Sequence, residues 1–280
     1  MRKIFFFDLD GTLLDTTGDN PCLLNELRQT LYQLRMQGHV TAVCTARPYC
    51  FIEMWLPNIF DCLVLLNGAY IQAGENVLLD KPLEPHEIRQ IDALFSVYHS
   101  SYIYIGNNKG WARNISQRHQ KRLDSIYQVG PGFTQFNPMH QNEKVYSIDM
   151  FFETSEDFKR IEPVFYSQNW LTLNYSLGDY TGDVYMDNRT KATAAQLVLD
   201  YYGISASHAY AFGDGTNDVP LFHLVQHTCA VQNAKQELKD AASFISSKPT
   251  GAGVLQGLHY WGFGGIADGP LDNGLSAIQR

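Results

Sequence analysis

Near the start of the chain, Ile4 to Phe7 form a run of four large apolar residues that passes directly into Asp8 and Asp10. A continuous apolar run of this length, β-branched and aromatic, reads as a strand covered on both faces, which is the habit of a parallel sheet between helices. An isolated carboxylate buried behind such a strand is very costly, and two side by side repel, so that one tends to hold its proton. The fold must therefore bring the end of this strand to solvent, to a cation, or to chemistry that uses the proton. The last two are the reading adopted here.

The rhythm that follows is strand and helix in alternation. "CLLNELRQTLYQLRMQG" carries Leu24, Leu27, Leu31 and Leu34 at helical spacing and stops at Gly38. "HVTAVCTAR" and "CLVLLNGAY" read as the next two strands. Strand, helix, strand in this order implies parallel pairing with right-handed crossovers. From about 75 to 186 the texture changes to one rich in tyrosine, phenylalanine and asparagine. Its strand-like pieces are "SYIYIGN", "KVYSIDMFF" and "WLTLNY", with helices expected at 85–98 and 155–168. This is an α+β insertion with its own small core. From 187 the α/β rhythm returns: "KATAAQLVLDYYG" as helix, "HAYAFGD" as strand, "DVPLFHLVQ" as a helix capped by Asp218, "TCAVQ" as strand, and "NAKQELKDAA" as a helix capped by Asn233. Residues 262–280 form a glycine-rich tail with no assignable chemistry.

With 280 residues the chain has room for two domains at the usual ~150 residues each. We expect 1–74 and 187–280 to form one and 75–186 the other. A formal charge of −8 argues against nucleic acid or an anionic membrane as the main partner. Cys22, Cys44, Cys50, Cys62 and Cys229 are odd in number and lack Cys-x-x-Cys spacing, so reduced structural thiols in a soluble cytoplasmic protein are expected.

"AYAFGDGTND" repeats the opening pattern: an apolar run ends in Gly213-Asp214, followed by Asn217-Asp218. Carboxyl ends of parallel strands converge on one crevice, so Asp8, Asp10 and Asp214 can face a single point. Such an oxygen-rich, partly solvated set suits Mg²⁺. A calcium loop fails in both places, since the fifth, sixth and twelfth positions hold Thr12, Leu13 and Asp19 in one and Asp218, Val219 and Val225 in the other. Thr45 and Arg47 follow a strand and offer a hydroxyl and a guanidinium to an oxyanion. Lys191 opens a helix, where a cation opposes the dipole unless an anion lies between them. His223 and His227 share an i, i+4 spacing without a third ligand and are read as structural.

Four pieces in order, "DLDGT" at 8–12, a strand plus Thr45, Lys191 at a helix start and "GDGTND" at 213–218, make the chain resemble the haloacid dehalogenase (HAD) superfamily. The hundred or so extra residues between Thr45 and Lys191 look like a type II cap, and "NGA" at 67–69, "DVYMDNRTKATA" and "GAGVLQGL" are similar to the Cof-type sugar-phosphate phosphatases. The resemblance implies a Rossmann-like α/β core with an inserted α+β cap, and a Mg²⁺-dependent phosphatase of small phosphorylated metabolites. It implies Asp8 as nucleophile forming an aspartyl-phosphate, and Asp10 as general acid and base. Asp8, Asp214 and the Asp10 carbonyl would bind metal, with Asp218 behind them, and Leu9, Thr45, Ala46, Lys191 and Asn217 would hold phosphate. Arg47 would support its loop or reach the phosphate.

Four positions depart from the group's pattern: Ala46 replaces a glycine, Asn188-Arg189 replace Gly-Val, and Ala252 replaces an aspartate. A phosphomutase or phosphotransferase on the same fold, or a non-catalytic phospho-ligand-binding protein, are the competing readings. In the insertion, Tyr102, Tyr104, Asn107, Asn108 and Trp111 form a polar-aromatic stretch that lines the substrate or builds the cap's own core.

Overall fold

The computed structural model describes residues 1–15, 22–126, 143–167, 171–176, 181–186 and 189–264. Its strand β1 (Ile4–Phe7) is fully buried and central, and helix α1 (Asn25–Met36) buries Leu27, Thr30, Leu31 and Leu34. The chain continues through β2 (Val40–Cys44), α2 (Tyr49–Trp55) and β3 (Cys62–Leu65). The third expected strand is broken: Leu66 and Asn67 take φ of +54°, a strained region for such side chains, and the chain turns back as β4 (Tyr70–Ala73) and β5 (Asn76–Asp80). Both add antiparallel to the sheet edge. The expected break at 74/75 therefore falls inside a hairpin of the large sheet, and the chain leaves that sheet only after Asp80.

The smaller layer comprises α3 (Pro85–Val97), β6 (Ser101–Ile105), β7 (Gly110–Arg113), α4 (Gln117–Ile126), β8 (Ser147–Phe151), α5 (Ser155–Ser167), β9 (Leu171–Ser176) and β10 (Thr181–Met186). Its five strands pair antiparallel in the order β7-β6-β8-β10-β9. Alternation divides the two faces. Tyr102, Tyr104, Ile148, Met150, Val184 and Met186 point to α3 and α5 and form a separate core with Phe95 and Phe165. Ile103, Ile105 and Phe151 on the other face join the core of the large sheet. The polar-aromatic stretch is thereby resolved: Tyr102, Tyr104 and Trp111 lie in the cap's own core, and both tyrosine hydroxyls donate to Asp92 at 2.7 and 2.8 Å.

The chain then returns through α6 (Lys191–Tyr202), β11 (Ala209–Gly213), α7 (Val219–Leu224), β12 (His227–Ala230), α8 (Gln236–Asp240), β13 (Phe244–Ile245) and α9 (Thr250–Tyr260). The eight-stranded sheet runs β13-β12-β11-β1-β2-β3-β4-β5, parallel from β13 to β3. Two caps differ from expectation. Asp218 precedes α7 without capping it through its side chain, which is engaged elsewhere, and α8 begins after Lys235. Asn233 instead ties three segments together, donating to the Gly11 carbonyl at 2.8 Å and accepting from the Thr250 amide at 3.0 Å. His227 stacks on Tyr210 from a strand while His223 is exposed on α7, so the two do not share one helix face. The tail is anchored by Phe263 against Phe5 and Tyr210, and from 265 onward it lies outside the described residues.

Candidate active site

β1, β2 and β11 are adjacent and parallel, so their carboxyl ends deliver Asp8, Thr45 and Asp214 to one edge of the sheet. Asp8 and Thr45 are buried, at 7% and 1% exposure. The turn after β1 needs Gly11: its φ is +78°, and a Cβ there would collide with the Asp214 carboxylate. Thr12 reinforces the same approach by donating its hydroxyl to Asp214 Oδ1 at 3.1 Å. Carboxylate oxygens of Asp8, Asp214 and Asp218 all lie within 4.8 Å of one another.

Lys191 holds this cluster together. It is the first residue of α6, whose cap Thr190 accepts from the Thr193 amide. Its Nζ, fully buried, donates to Asp8 Oδ1 at 2.5 Å and to Asp218 Oδ1 at 2.6 Å. The lysine charge is thus paired with the protein's own carboxylates. The other oxygen of Asp218 accepts from the Asp214 and Gly215 amides at 3.2 and 3.1 Å. Asp218 is therefore engaged in holding Lys191 and the loop.

Burial pushes the Asp8 carboxyl well above the usual carboxylate range; Lys191 pulls it down, while Asp218 and Asp214 push it up again. Asp214 is pushed up to about 6 by burial and by Asp218. Lys191 is raised because its two carboxylates outweigh burial, which acts the other way. Three carboxylates and one ammonium leave two negative charges in a largely dry site. A divalent cation with oxygen preference balances that excess, so the donor set fits Mg²⁺.

Asp10 does not point into this cluster. Arg47 grips its carboxylate in a fork, Nη2 and Nε donating to Oδ1 at 2.8 and 3.2 Å and Nε to Oδ2 at 3.0 Å. Of the two expectations for Arg47, a contact to Asp10 is neither: it fixes the Asp10 carboxylate in one orientation. The Thr45 hydroxyl accepts from the Arg47 amide at 3.0 Å and its carbonyl from the Asn67 amide at 3.1 Å. Leu9 is fully buried and Ala46 half-buried within the same loops, and Asn217 lies beside Lys191 in a small chamber.

Two acids that the sequence analysis did not single out complete the picture. Asp149 on β8 and Asp183 on β10 are directly opposite in register, on the cap face that joins the large sheet's core. Burial and then Asp149 push Asp183 up to about 7, Arg47 and Lys191 pull it down, and Asp10 pushes it up. The cap carboxylates thus share one electrostatic neighbourhood with the strand-end groups. Asn107 joins the layers as well, its carbonyl accepting from the Cys50 amide at 3.2 Å.

A sequence model described as haloacid dehalogenase-like hydrolase matches residues 5–258. The chain belongs to the haloacid dehalogenase-like hydrolases. Among curated relatives it is 24% identical, over 90% of this chain and 95% of the other, to 5-amino-6-(5-phospho-D-ribitylamino)uracil phosphatase YwtE of Bacillus subtilis. It is 22% identical to a phosphoglycolate phosphatase of Nitrosopumilus maritimus, over 92% and 95% of the two chains. Among solved structures, the HAD phosphatase BT1666 from Bacteroides thetaiotaomicron superposes with a TM-score of 0.79 at 20% identity, covering 94% of this chain and 96% of that one. The HAD subclass IIB sugar phosphatase BT4131 gives 0.73 at 21%, covering 93% and 99%. These likenesses establish the α/β fold with its inserted cap. No described helix is long and apolar enough to cross a membrane.

Proposed function

We propose that this HAD-like hydrolase is a Mg²⁺-dependent phosphatase that cleaves small phosphate monoesters, sugar phosphates in particular, through a phosphate ester on Asp8. The observation that carries this reading is the buried Asp8–Lys191–Asp218 contact at the end of β1, beside Asp214 and Asp10. A carboxylate so placed has little structural worth, because a buried ion pair rarely stabilises more than a well-packed apolar substitute. Its value lies in reactivity.

An Asp8 oxygen attacks phosphorus, the bond from phosphorus to the ester oxygen breaks, and Asp10 gives its proton to the departing alcohol. Asp10 then takes a proton from water as the water attacks phosphorus, releasing inorganic phosphate and restoring Asp8. The Lys191 ammonium, the Thr45 hydroxyl and Asn217 offer donors around the transferred group, where preorganised charge matters most. Mg²⁺, held by Asp8, Asp214 and the Asp10 carbonyl, would lower the repulsion between carboxylate and phosphate. Arg47 keeps the Asp10 carboxylate aimed while that proton moves.

Asp149 and Asp183 support the sugar-phosphate class. A carboxylate pair on the cap face is a poor neighbour for an apolar leaving group and a good acceptor for hydroxyls. BT4131, with the same cap type, is a sugar phosphatase. The test is hydrolysis of p-nitrophenyl phosphate with Mg²⁺ or with EDTA, alongside Asp8→Asn. Metal-dependent release of nitrophenol that vanishes in the variant is expected; folded wild-type protein that binds Mg²⁺ without turnover would contradict the proposal.

A further inference from the structure

The short loop after β12 lies beside the loop after β11, because those two strands are parallel neighbours. It is fastened there at both ends. The Val231 amide donates to the Gly213 carbonyl at 3.2 Å, and the Lys235 amide to the Asp214 carbonyl at 2.8 Å. Between these two bonds stands Asn233, exposed to solvent yet engaged at both ends of its amide. Its Nδ2 donates to the Gly11 carbonyl at 2.8 Å, and its Oδ1 accepts at 3.0 Å from the amide of Thr250, the first residue of α9. A carbonyl on one side and an N–H on the other fix the amide in a single sense. The Thr250 amide is one of the helix-end donors that has no partner within its own helix.

What Asn233 holds is the peptide between Gly11 and Thr12, and both of those residues bear on Asp214. Gly11 leaves no room for a Cβ against the Asp214 carboxylate, and the buried Thr12 hydroxyl donates to Asp214 Oδ1 at 3.1 Å. The start of α9 rests on the same turn, since a Cβ on Gly251 would lie 3.1 Å from the Leu13 carbonyl. Asp214 is thus gripped twice. Lys235 holds its backbone from one side, while Gly11 and Thr12 bracket its carboxylate from the other. Asn233 connects the two grips, because it shares a loop with Lys235 and bonds the Gly11 carbonyl directly.

We propose that Asn233 is a positioning residue for the metal site: by tying the Gly11–Thr12 peptide to the Asp214 loop, it sets the separation of Asp214 from Asp8 that Mg²⁺ requires. The inference rests on the Mg²⁺ part of the function proposed above. Asp8 and Asp214 follow different strands, and Mg²⁺ tolerates little departure from octahedral geometry. Parallel pairing of β1 with β11 brings the strand ends together but does not fix the loops beyond them. Asn233 spans those loops from a third. Groups one step behind a metal ligand alter affinity without touching the ion. An exposed hydrogen bond exchanges readily with water and adds little to stability, so the effect of Asn233 belongs to metal binding rather than to folding.

The experiment titrates Mg²⁺ into the protein by isothermal calorimetry, without substrate, and records the Tm of the metal-free form. Asn233→Ala should raise the Kd for Mg²⁺ about three- to tenfold, the worth of one net hydrogen bond, and lower the metal-free Tm by no more than about 3 °C. Asn233→Ser, polar but shorter, should do the same. Thr12→Val removes the hydroxyl from Asp214 and should also weaken binding. Combined with Asn233→Ala it should lose less than the product of the two single losses, because both act on one peptide. A Kd unchanged in both Asn233 variants, or a fall in metal-free Tm without a change in Kd, would overturn the inference and leave the phosphatase reading intact. So would losses that multiply fully in the double variant. Wild-type protein that neither binds Mg²⁺ nor turns over p-nitrophenyl phosphate would remove the phosphatase reading and this inference with it.

Discussion

The two sheets keep their charges in different ways. In the large parallel sheet β1, β2 and β11 are buried along their whole length, and the charged groups Asp8 and Asp214 stand just past their carboxyl ends, Asp8 held by Lys191 from a helix start. In the small antiparallel sheet one face is apolar core, while the other carries Asp149 and Asp183 in mid-strand. A parallel sheet covered by helices leaves only strand ends for chemistry. An antiparallel sheet used as a cover can place polar groups anywhere along the face it presents. On the proposed function, reaction groups thus sit at motif positions, and selecting groups sit wherever register puts them.

The sharpest way to break this division is at Asp8. Asp8→Asn should lower kcat on p-nitrophenyl phosphate by roughly 10⁴-fold or more, the scale seen when a nucleophile is lost. Lys191→Met comes next, because it leaves two buried carboxylates uncompensated. It should cost about 3–5 kcal/mol in urea unfolding as well as most of the activity. On the cap side, Asp183→Asn should lower kcat/KM on sugar phosphates about tenfold, one charge-assisted hydrogen bond, with a smaller change on p-nitrophenyl phosphate. Equal losses on both substrates would place Asp183 among the reaction groups and erase the contrast.

Proton linkage sharpens it further. Asp214, raised to about 6, and Asp8, raised well above its ordinary value, bind more protons folded than unfolded. The metal-free protein therefore loses stability as pH rises from about 4 through 6, where the unfolded carboxyls are already ionised. Mg²⁺ needs those groups deprotonated, so the rise in Tm that it gives should be larger at pH 7.5 than at pH 5. A metal-induced rise that is equal at the two values would contradict the assignment of Asp8 and Asp214 as ligands. The smallest effect is expected at Tyr104→Phe, which removes one hydrogen bond to Asp92 in the cap core. It should cost about 0.5–1.5 kcal/mol and leave kcat/KM unchanged.

The same contrast governs what could be read from the chain. The meeting of Asp8, Asp214 and Lys191 was legible because each adjoins an apolar run or a helix start whose direction is fixed by the parallel sheet, whereas Asp10 turns away from that point. Arg47's hold on Asp10 was not, since a loop after β2 allows several directions for a long side chain. The Tyr102–Trp111 stretch left core and site open because period-2 alternation shows two faces without showing which one is covered. Asp149 and Asp183 stand far apart in sequence and meet only through the β8–β10 register. Asn67 belonged to a recognised "NGA" piece, yet its position depends on a strained turn inside what read as one strand.

The central claim is the phosphate ester on Asp8, and rapid-quench labelling tests it most directly. Nitrophenolate departs without needing a proton, so Asp10→Asn should still be phosphorylated by p-nitrophenyl phosphate but should hydrolyse the ester slowly. The account predicts a burst of one nitrophenolate per enzyme and a phosphate label on the peptide containing Asp8. Wild-type turnover with neither burst nor label in Asp10→Asn, though that variant is folded and binds Mg²⁺, would contradict it.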